Sequence, residues 1–175
     1  MEDFKVLVSP ASVESPEISK TLQYENLIAV LEACRQGYKY TVIDAPRVAK
    51  SVAADLATVS EFVLIVFQLT VKDIKFAQSM VSSLRNCGIE TEKIIPLVNR
   101  FKKRGTIVRL EDCKEALGLD SFHRIRSDWR NAMNCANRGH PLAEVAPKSG
   151  LRRDFRKLAA RINAHGTNGS TRGLK

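Results

Sequence analysis

Asp44 closes the apolar run Tyr40-Thr-Val-Ile and is followed by Ala45-Pro46-Arg47. An aspartate that ends a buried strand before a proline-stiffened turn can act on a metal ion or on a metal-bound water. The same residue can instead cap the turn that leads into the next helix. A second chemistry is offered by cations. Lys102, Lys103 and Arg104 lie in one stretch, Arg152, Arg153, Arg156 and Lys157 in another, and Arg124, Arg126 and Arg130 flank Trp129. Clusters of this kind neutralise the phosphates of DNA, with steep salt dependence, or form a partner-docking surface or a solvated face. Trp129 can stack on a base or pack at the start of a helix.

The charge is unevenly placed. Net charge is +9, yet residues 1–99 hold ten Lys/Arg against twelve Asp/Glu, while residues 100–161 hold sixteen against seven. Localised basicity of this kind points to a nucleic acid, an anionic membrane surface or an acidic protein. A chain of 175 residues with 44% apolar and 27% charged residues fits one globular domain, burying roughly 70% of its unfolded surface. No apolar run approaches the ~20 residues that span a bilayer, and the acidic start Met1-Glu-Asp lacks the order of a signal peptide. A cytoplasmic protein is expected. Cys34, Cys87, Cys113 and Cys135 show no metal-ligand spacing and are expected to be reduced core thiols, with no metal site. The segment 165–175, rich in Gly, Ser and Thr, is expected to be a disordered tail.

These residues need elements to hold them. Phe4 to Val8 alternates as a strand, and Ser15-Pro-Glu opens a helix that reaches Gly37. Tyr40–Asp44 reads as the next strand, and Val48, Val52, Leu56 and Val59 recur at helical spacing. Phe62–Phe67, apolar on both faces, reads as a central strand of a covered parallel sheet. Ile74, Ala77, Val81 and Leu84 line a helix that Gly88 ends. Ile94–Asn99 reads as a buried strand, although Pro96 fits best at an edge or bulge. Leu110–Leu117 is a short helix closed by Gly118, and Phe122–Ile125 is a strand. Ser127 caps a helix to Arg138, and Ser149 caps a last helix with Leu151, Phe155, Leu158 and Ile162 along one stripe. Strand and helix alternate five times, which predicts an α/β fold: a three-layer, open, mostly parallel sheet with helices on both faces. Ligands of such sheets bind beyond the carboxyl ends of the strands, so Asp44, Gln68, Asn99 and Ser127 are expected on one rim.

Five motifs in order resemble the ParA/MinD-type ATPases. Val42-Ile-Asp-Ala-Pro-Arg-Val48 resembles their D-x-P switch segment and is especially similar to that of the CpaE/TadZ pilus-assembly proteins. Glu61-Phe-Val-Leu-Ile-Val-Phe67 looks like the strand after the switch helix, and Ile95-Pro-Leu-Val-Asn-Arg100 like the strand whose terminal Asn meets adenine. Ile125-Arg-Ser-Asp-Trp129 looks like the I-P-x-D loop, with Arg126 where proline is often found, and Ala136-Asn-Arg-Gly-His-Pro-Leu142 like the N-x-G-x-P turn. The resemblance covers about residues 4–163 and is carried by the set, since each motif alone is weak. It implies that the Asn99 amide bonds the nucleotide base and Asp44 holds the switch and the magnesium or attacking water. Arg47 would reach phosphate or brace the switch, and Arg100 would line the same nucleotide site.

One part of that family pattern is missing. No G-x-x-x-x-G-K-S/T pattern occurs, and Gly37, Gly88, Gly105 and Gly118 are isolated. Such a loop cradles the phosphates with backbone N–H groups and lysine. Residues 1–164 are therefore read as a ParA/MinD-like α/β domain lacking its phosphate-binding unit, with ATP or ADP and Mg bound only where that unit is supplied. The leading reading is a CpaE/TadZ-like protein of pilus assembly or polar localisation that does not hydrolyse ATP by itself, partnered by pilus and secretion-machinery proteins or by a second copy of itself. The alternatives are a truncated part of an active Mg-ATPase and a ParA-like nonspecific DNA-binding partition protein, for which Lys102, Lys103, Arg104, Arg152, Arg153 and Arg156 would form the surface.

Overall fold

A computed structural model describes residues 24–45 and 48–169. The chain divides into two units at Arg47, each considered by itself. In the first, helix α1 (Tyr24–Gly37) has no buried residue among those whose burial is described, with Ile28 and Val30 both 38% exposed. The expected strand Phe4–Val8 and the helix start at Ser15 lie outside the described residues. Tyr40–Asp44, expected as a strand, carries no strand pairing, and Val42 is 89% exposed. A strand exists only through its ladder, and among the described residues none lies alongside this segment.

The second unit is built on a parallel sheet of three strands in the order β1 (Val63–Phe67), β2 (Ile94–Phe101), β3 (His123–Arg126). β2, not β1, is central among the described strands. Burial explains why: Ile94 to Val98 is buried at five successive positions, whereas Val66 of β1 is 53% exposed. Pro96 sits inside this central strand. It pairs with Ile65, but the β3 ladder begins one residue later at Leu97, so on that side the proline has no ladder to interrupt.

Alternate residues of the strands face opposite layers. Ile65, Phe67, Ile94 and Val98 join the larger core with residues of α2 (Lys50–Val59), α3 (Val71–Asn86) and α4 (Leu110–Leu117). Leu97 and Ile125 face the other way, against Leu151 and Leu158 of α7 (Gly150–Gly169), with Leu64 at the margin. Helices on both faces of a parallel sheet are the architecture the alternation predicts. The short helices α5 (Trp129–Arg138) and α6 (Leu142–Val145) connect β3 to α7.

Local chemistry sets the ends of these elements. Thr70 caps α3 by accepting the Asp73 N–H at 3.1 Å, and Gly88 follows with φ 81°. Gly118 closes α4 in the left-handed region, and Arg85 of α3 donates to its carbonyl at 2.9 Å, a cation at a helix carboxyl end. Three expectations change in detail. The buried face of α2 is Ala54, Leu56 and Ala57, of which Ala54 and Ala57 join the larger core, with Val52 only half-buried, Val59 exposed and Val48 outside the helix. Asp128, not Ser127, caps α5, its Oδ1 accepting the Asn131 N–H at 3.3 Å. In α7 the buried stripe runs Leu151, Asp154, Leu158, while Phe155, one step round the helix, is 48% exposed. α7 stays helical through Gly169, five residues into the segment expected as a tail, and residues 170–175 lie outside the described ones.

Candidate functional site

Gln68 directly follows β1, Asn99 lies near the end of β2, and Ser127 directly follows β3, so the three stand at the carboxyl ends of neighbouring parallel strands. The register sets their levels: Phe67 pairs with Val98, and Val98 with Arg124. Beyond that point β2 carries one residue more than β3, since Val98–Arg124 is followed by Phe101–Arg126. This is a β-bulge, a device that re-aims side chains and recurs beside active sites. Arg100 absorbs it with φ 50°, the single positive φ of a non-glycine residue among those described. A side chain in that region is strained, and the strain is held by neighbours. Asn99 Oδ1 accepts the Arg100 N–H at 2.9 Å, and Ser127 N–H donates to the Phe101 carbonyl at 2.9 Å. Asn99 is half-buried, and its amide NH2 has no partner among the described residues.

Asp44 belongs to the first unit, where it is exposed in coil, and Arg47 lies outside the described residues. The rim of the second unit thus holds Gln68, Asn99, Arg100 and Ser127. Lys102, Lys103 and Arg104 are exposed in the loop that leaves β2, next in chain to the bulge. Arg124 lays its guanidinium over the Phe101 ring at 5.3 Å. Arg153 and Arg156 are exposed on α7 and form no ion pair among the described residues, while half-buried Arg152 donates to the Pro147 carbonyl at 2.8 Å. Trp129, for which packing was one expectation, is 71% exposed at the first residue of α5. Cys87 is exposed and Cys34 and Cys135 are half-buried, so of the four expected core thiols only Cys113 is fully inside, where burial and then Asp112 and Glu111 push its thiol up. Among the described residues no group of His, Cys, Asp and Glu is placed to hold a metal ion, and no helix is long and apolar enough to cross a membrane.

One contact was not anticipated. Asp154 is the one buried charged residue among those described, at 8% exposure. Its Oδ2 accepts Arg126 N–H at 3.0 Å and Nε–H at 2.7 Å, and its Oδ1 accepts Nη2–H at 2.9 Å. The hydrogen-bonded guanidinium holds the Asp154 carboxyl below its ordinary value, against burial that acts the other way. His123 Nε2–H donates to the Asp154 carbonyl at 3.2 Å. Gly150 leaves room for this placement of the guanidinium: a Cβ there would lie 2.6 Å from Arg126 Cζ. The sequence signal was an acidic residue three places after Leu151, on the stripe otherwise made of leucines.

Comparison with known proteins follows the same lines. The chain is 28% identical over 142 residues to the septum site-determining protein MinD of Thermotoga maritima, covering 79% of this chain and 52% of the relative. It spans about half the length of that protein. Its structure resembles a ParA family ATPase from Chlorobium tepidum, with a TM-score of 0.71, 17% identity and coverage of 89% of this chain and 65% of the other. It also resembles the cell division ATPase MinD of Pyrococcus furiosus, with a TM-score of 0.69, 18% identity and coverage of 86% and 62%. No family model matches the chain. The parallel sheet covered on both faces and the two structural likenesses show a P-loop NTPase-like α/β fold like that of the ParA/MinD-type ATPases, and the match to MinD in sequence supports a relationship to that superfamily.

Proposed function

We propose that the chain is the base-side part of a ParA/MinD-type nucleotide-handling domain. We further propose that it serves in CpaE/TadZ-like pilus assembly or polar localisation, without hydrolysing ATP by itself. The observation that carries the nucleotide part is the gathering of Gln68, Asn99 and Ser127 at one carboxyl rim, beside the bulge at Arg100. That rim is where open parallel sheets bind ligands. On this reading the free Asn99 amide takes the edge of the base. Arg100 lines the same rim, and the magnesium and phosphate roles of Asp44 and Arg47 rest on the resemblance of Val42–Val48 to the switch segment alone. The pilus part rests on the likeness of Val42–Val48 to the CpaE/TadZ switch segment, and its partners are pilus and secretion-machinery proteins and a second copy of the chain.

The limit on hydrolysis is electrostatic. Phosphoryl transfer depends on preorganised positive groups around the phosphates, and the 175 residues contain no glycine-rich, lysine-bearing loop to supply them. The test is equilibrium binding of a labelled ATP analogue with magnesium to the chain alone. Affinity on the order of millimolar is expected, and micromolar affinity would contradict the limit on hydrolysis.

A second reading is favoured by the 52% coverage of the MinD relative: these residues are part of a magnesium ATPase whose phosphate cradle lies on a further segment. The genomic DNA upstream of the Met1 codon decides it. An in-frame glycine-rich segment with lysine supports this reading, and its absence removes it.

A further inference from the structure

We propose that Asp154 and Arg126 are a positioning pair that sets the β3 side of the carboxyl rim, and the loop Ser127–Asp128 with it, against Asn99. The role assigned to the rim rests on the nucleotide reading above. The geometry of the pair does not.

Arg126 is the last residue of β3, and the next residue is the rim residue Ser127. Two groups of Arg126 are fixed from α7: the backbone N–H and the guanidinium both end on the Asp154 carboxylate. The backbone bond matters most for position, because it fixes the last peptide plane of β3, between Ile125 and Arg126, immediately before the loop departs. Ser127 then donates to the Phe101 carbonyl at 2.9 Å, just past the bulge, and Asp128 accepts the Asn131 N–H at 3.3 Å and the Asn131 side-chain amide at 2.8 Å. Three successive residues are thus each tied to a different element: α7, β2 and α5. Proline, common here in the sequences this loop resembles, would stiffen φ by its ring. Arg126 instead obtains its constraint from across the fold.

Ordinary fold support does not account for the arrangement well. A carboxylate on the apolar stripe of α7 is a costly way to join a helix to a sheet, and apolar residues at such sites are often at least as stabilising. Gly150, the first residue of α7, adds to this. Its absence of Cβ is what leaves room for the Arg126 guanidinium. Helix, glycine and carboxylate therefore converge on the placement of one strand end.

The test is amide hydrogen exchange on the full chain, for wild type, Asp154→Asn, Arg126→Lys and the surface control Arg153→Ala. In Asp154→Asn, exchange at the Ser127 and Asn131 amides should rise at least tenfold, while Leu97 and Val98 in β2 stay protected. Arg126→Lys keeps the backbone bond and loses the forked one, so its rise should be smaller, and Arg153→Ala should match wild type. Unchanged exchange at Ser127, or a rise spread equally over the second unit, overturns the proposal. Should Asp154→Asn fail to fold, Arg126→Lys is judged by the same pattern. Binding of an adenine nucleotide is measured in parallel. If wild type binds, Asp154→Asn should weaken it at least fivefold, and equal affinity overturns the positioning role. If wild type does not bind, the nucleotide reading of the rim fails, and exchange alone decides the pair.

Discussion

Asp154 on α7 grips Arg126 at the end of β3 by three hydrogen bonds, one to the backbone and two to the guanidinium. A helix is thereby locked to the carboxyl rim of the sheet through a charge that is itself buried. Isolated buried carboxylates are strongly disfavoured, and what makes this one tolerable is that both oxygens are occupied by donors carrying positive charge or fixed N–H dipoles.

The pair gives stability a definite pH dependence. The Asp154 carboxyl is held below its ordinary value of 3.8, so the folded state binds this proton less readily than the unfolded one. Its contribution is fully present above that ordinary value and is lost as pH falls through the lower, folded one. Thermal unfolding followed by circular dichroism should show the wild-type midpoint falling with pH below about 4 more steeply than that of Asp154→Asn. Parallel slopes would mean that the ion pair does not persist in solution.

Gly150 is a second handle. Replacing a glycine within a helix by alanine ordinarily stabilises by about 0.5–1 kcal/mol. Here the added Cβ meets the Arg126 guanidinium, which Asp154 holds in place. We expect Gly150→Ala to lower stability in the wild-type background and to raise it once Arg126 is alanine. Denaturant unfolding of the four proteins of that cycle reads the change of sign directly.

The stripe of α7 yields a plain packing prediction. Leu158 is 8% exposed and Phe155 48%. Leu158→Ala should destabilise by about 2–5 kcal/mol, and Phe155→Ser by less than about 0.5 kcal/mol. Urea denaturation distinguishes them, and comparable losses would contradict the helix rotation described.

Much of this fold was readable in the chain, and the pattern of success is physical. α3, α4 and the start of α7 announce themselves by local chemistry: the stripe Ile74, Ala77, Val81, Leu84, the left-handed Gly118, and the Ser149 cap, whose Oγ accepts the Arg152 N–H at 3.1 Å. β2 was evident because its first five residues, Ile94–Val98, are all apolar, as a strand buried on both faces requires. What escaped was decided by partners distant in sequence. Tyr40–Asp44 has strand-like residues but no ladder among the described residues, and β1, equally apolar, sits at the edge of the described sheet. Phe155 was placed in the stripe on hydrophobicity, and Asp154 displaced it because Arg126, twenty-eight residues earlier, supplies what its carboxylate needs. Of the candidate site, Gln68, Asn99 and Ser127 were found from their places at strand ends. The bulge at Arg100 was not, because no residue type demands it.

Asn99 should be separable from the fold. Its Oδ1 supports only the neighbouring Arg100 N–H, and its NH2 is free of partners among the described residues. Asn99→Ala should cost about 1 kcal/mol of stability and leave the exchange pattern of β1 intact, while removing any response to adenine nucleotides. An undiminished response in a folded Asn99→Ala chain would exclude this amide from the base site.

The most direct test is amide chemical-shift mapping of the full chain titrated with an adenine nucleotide and magnesium. Weak, saturable shifts are expected, with affinity on the order of millimolar, concentrated at Gln68, Asn99, Arg100 and Ser127. Shifts centred away from that rim, or none at several times that concentration, would contradict it.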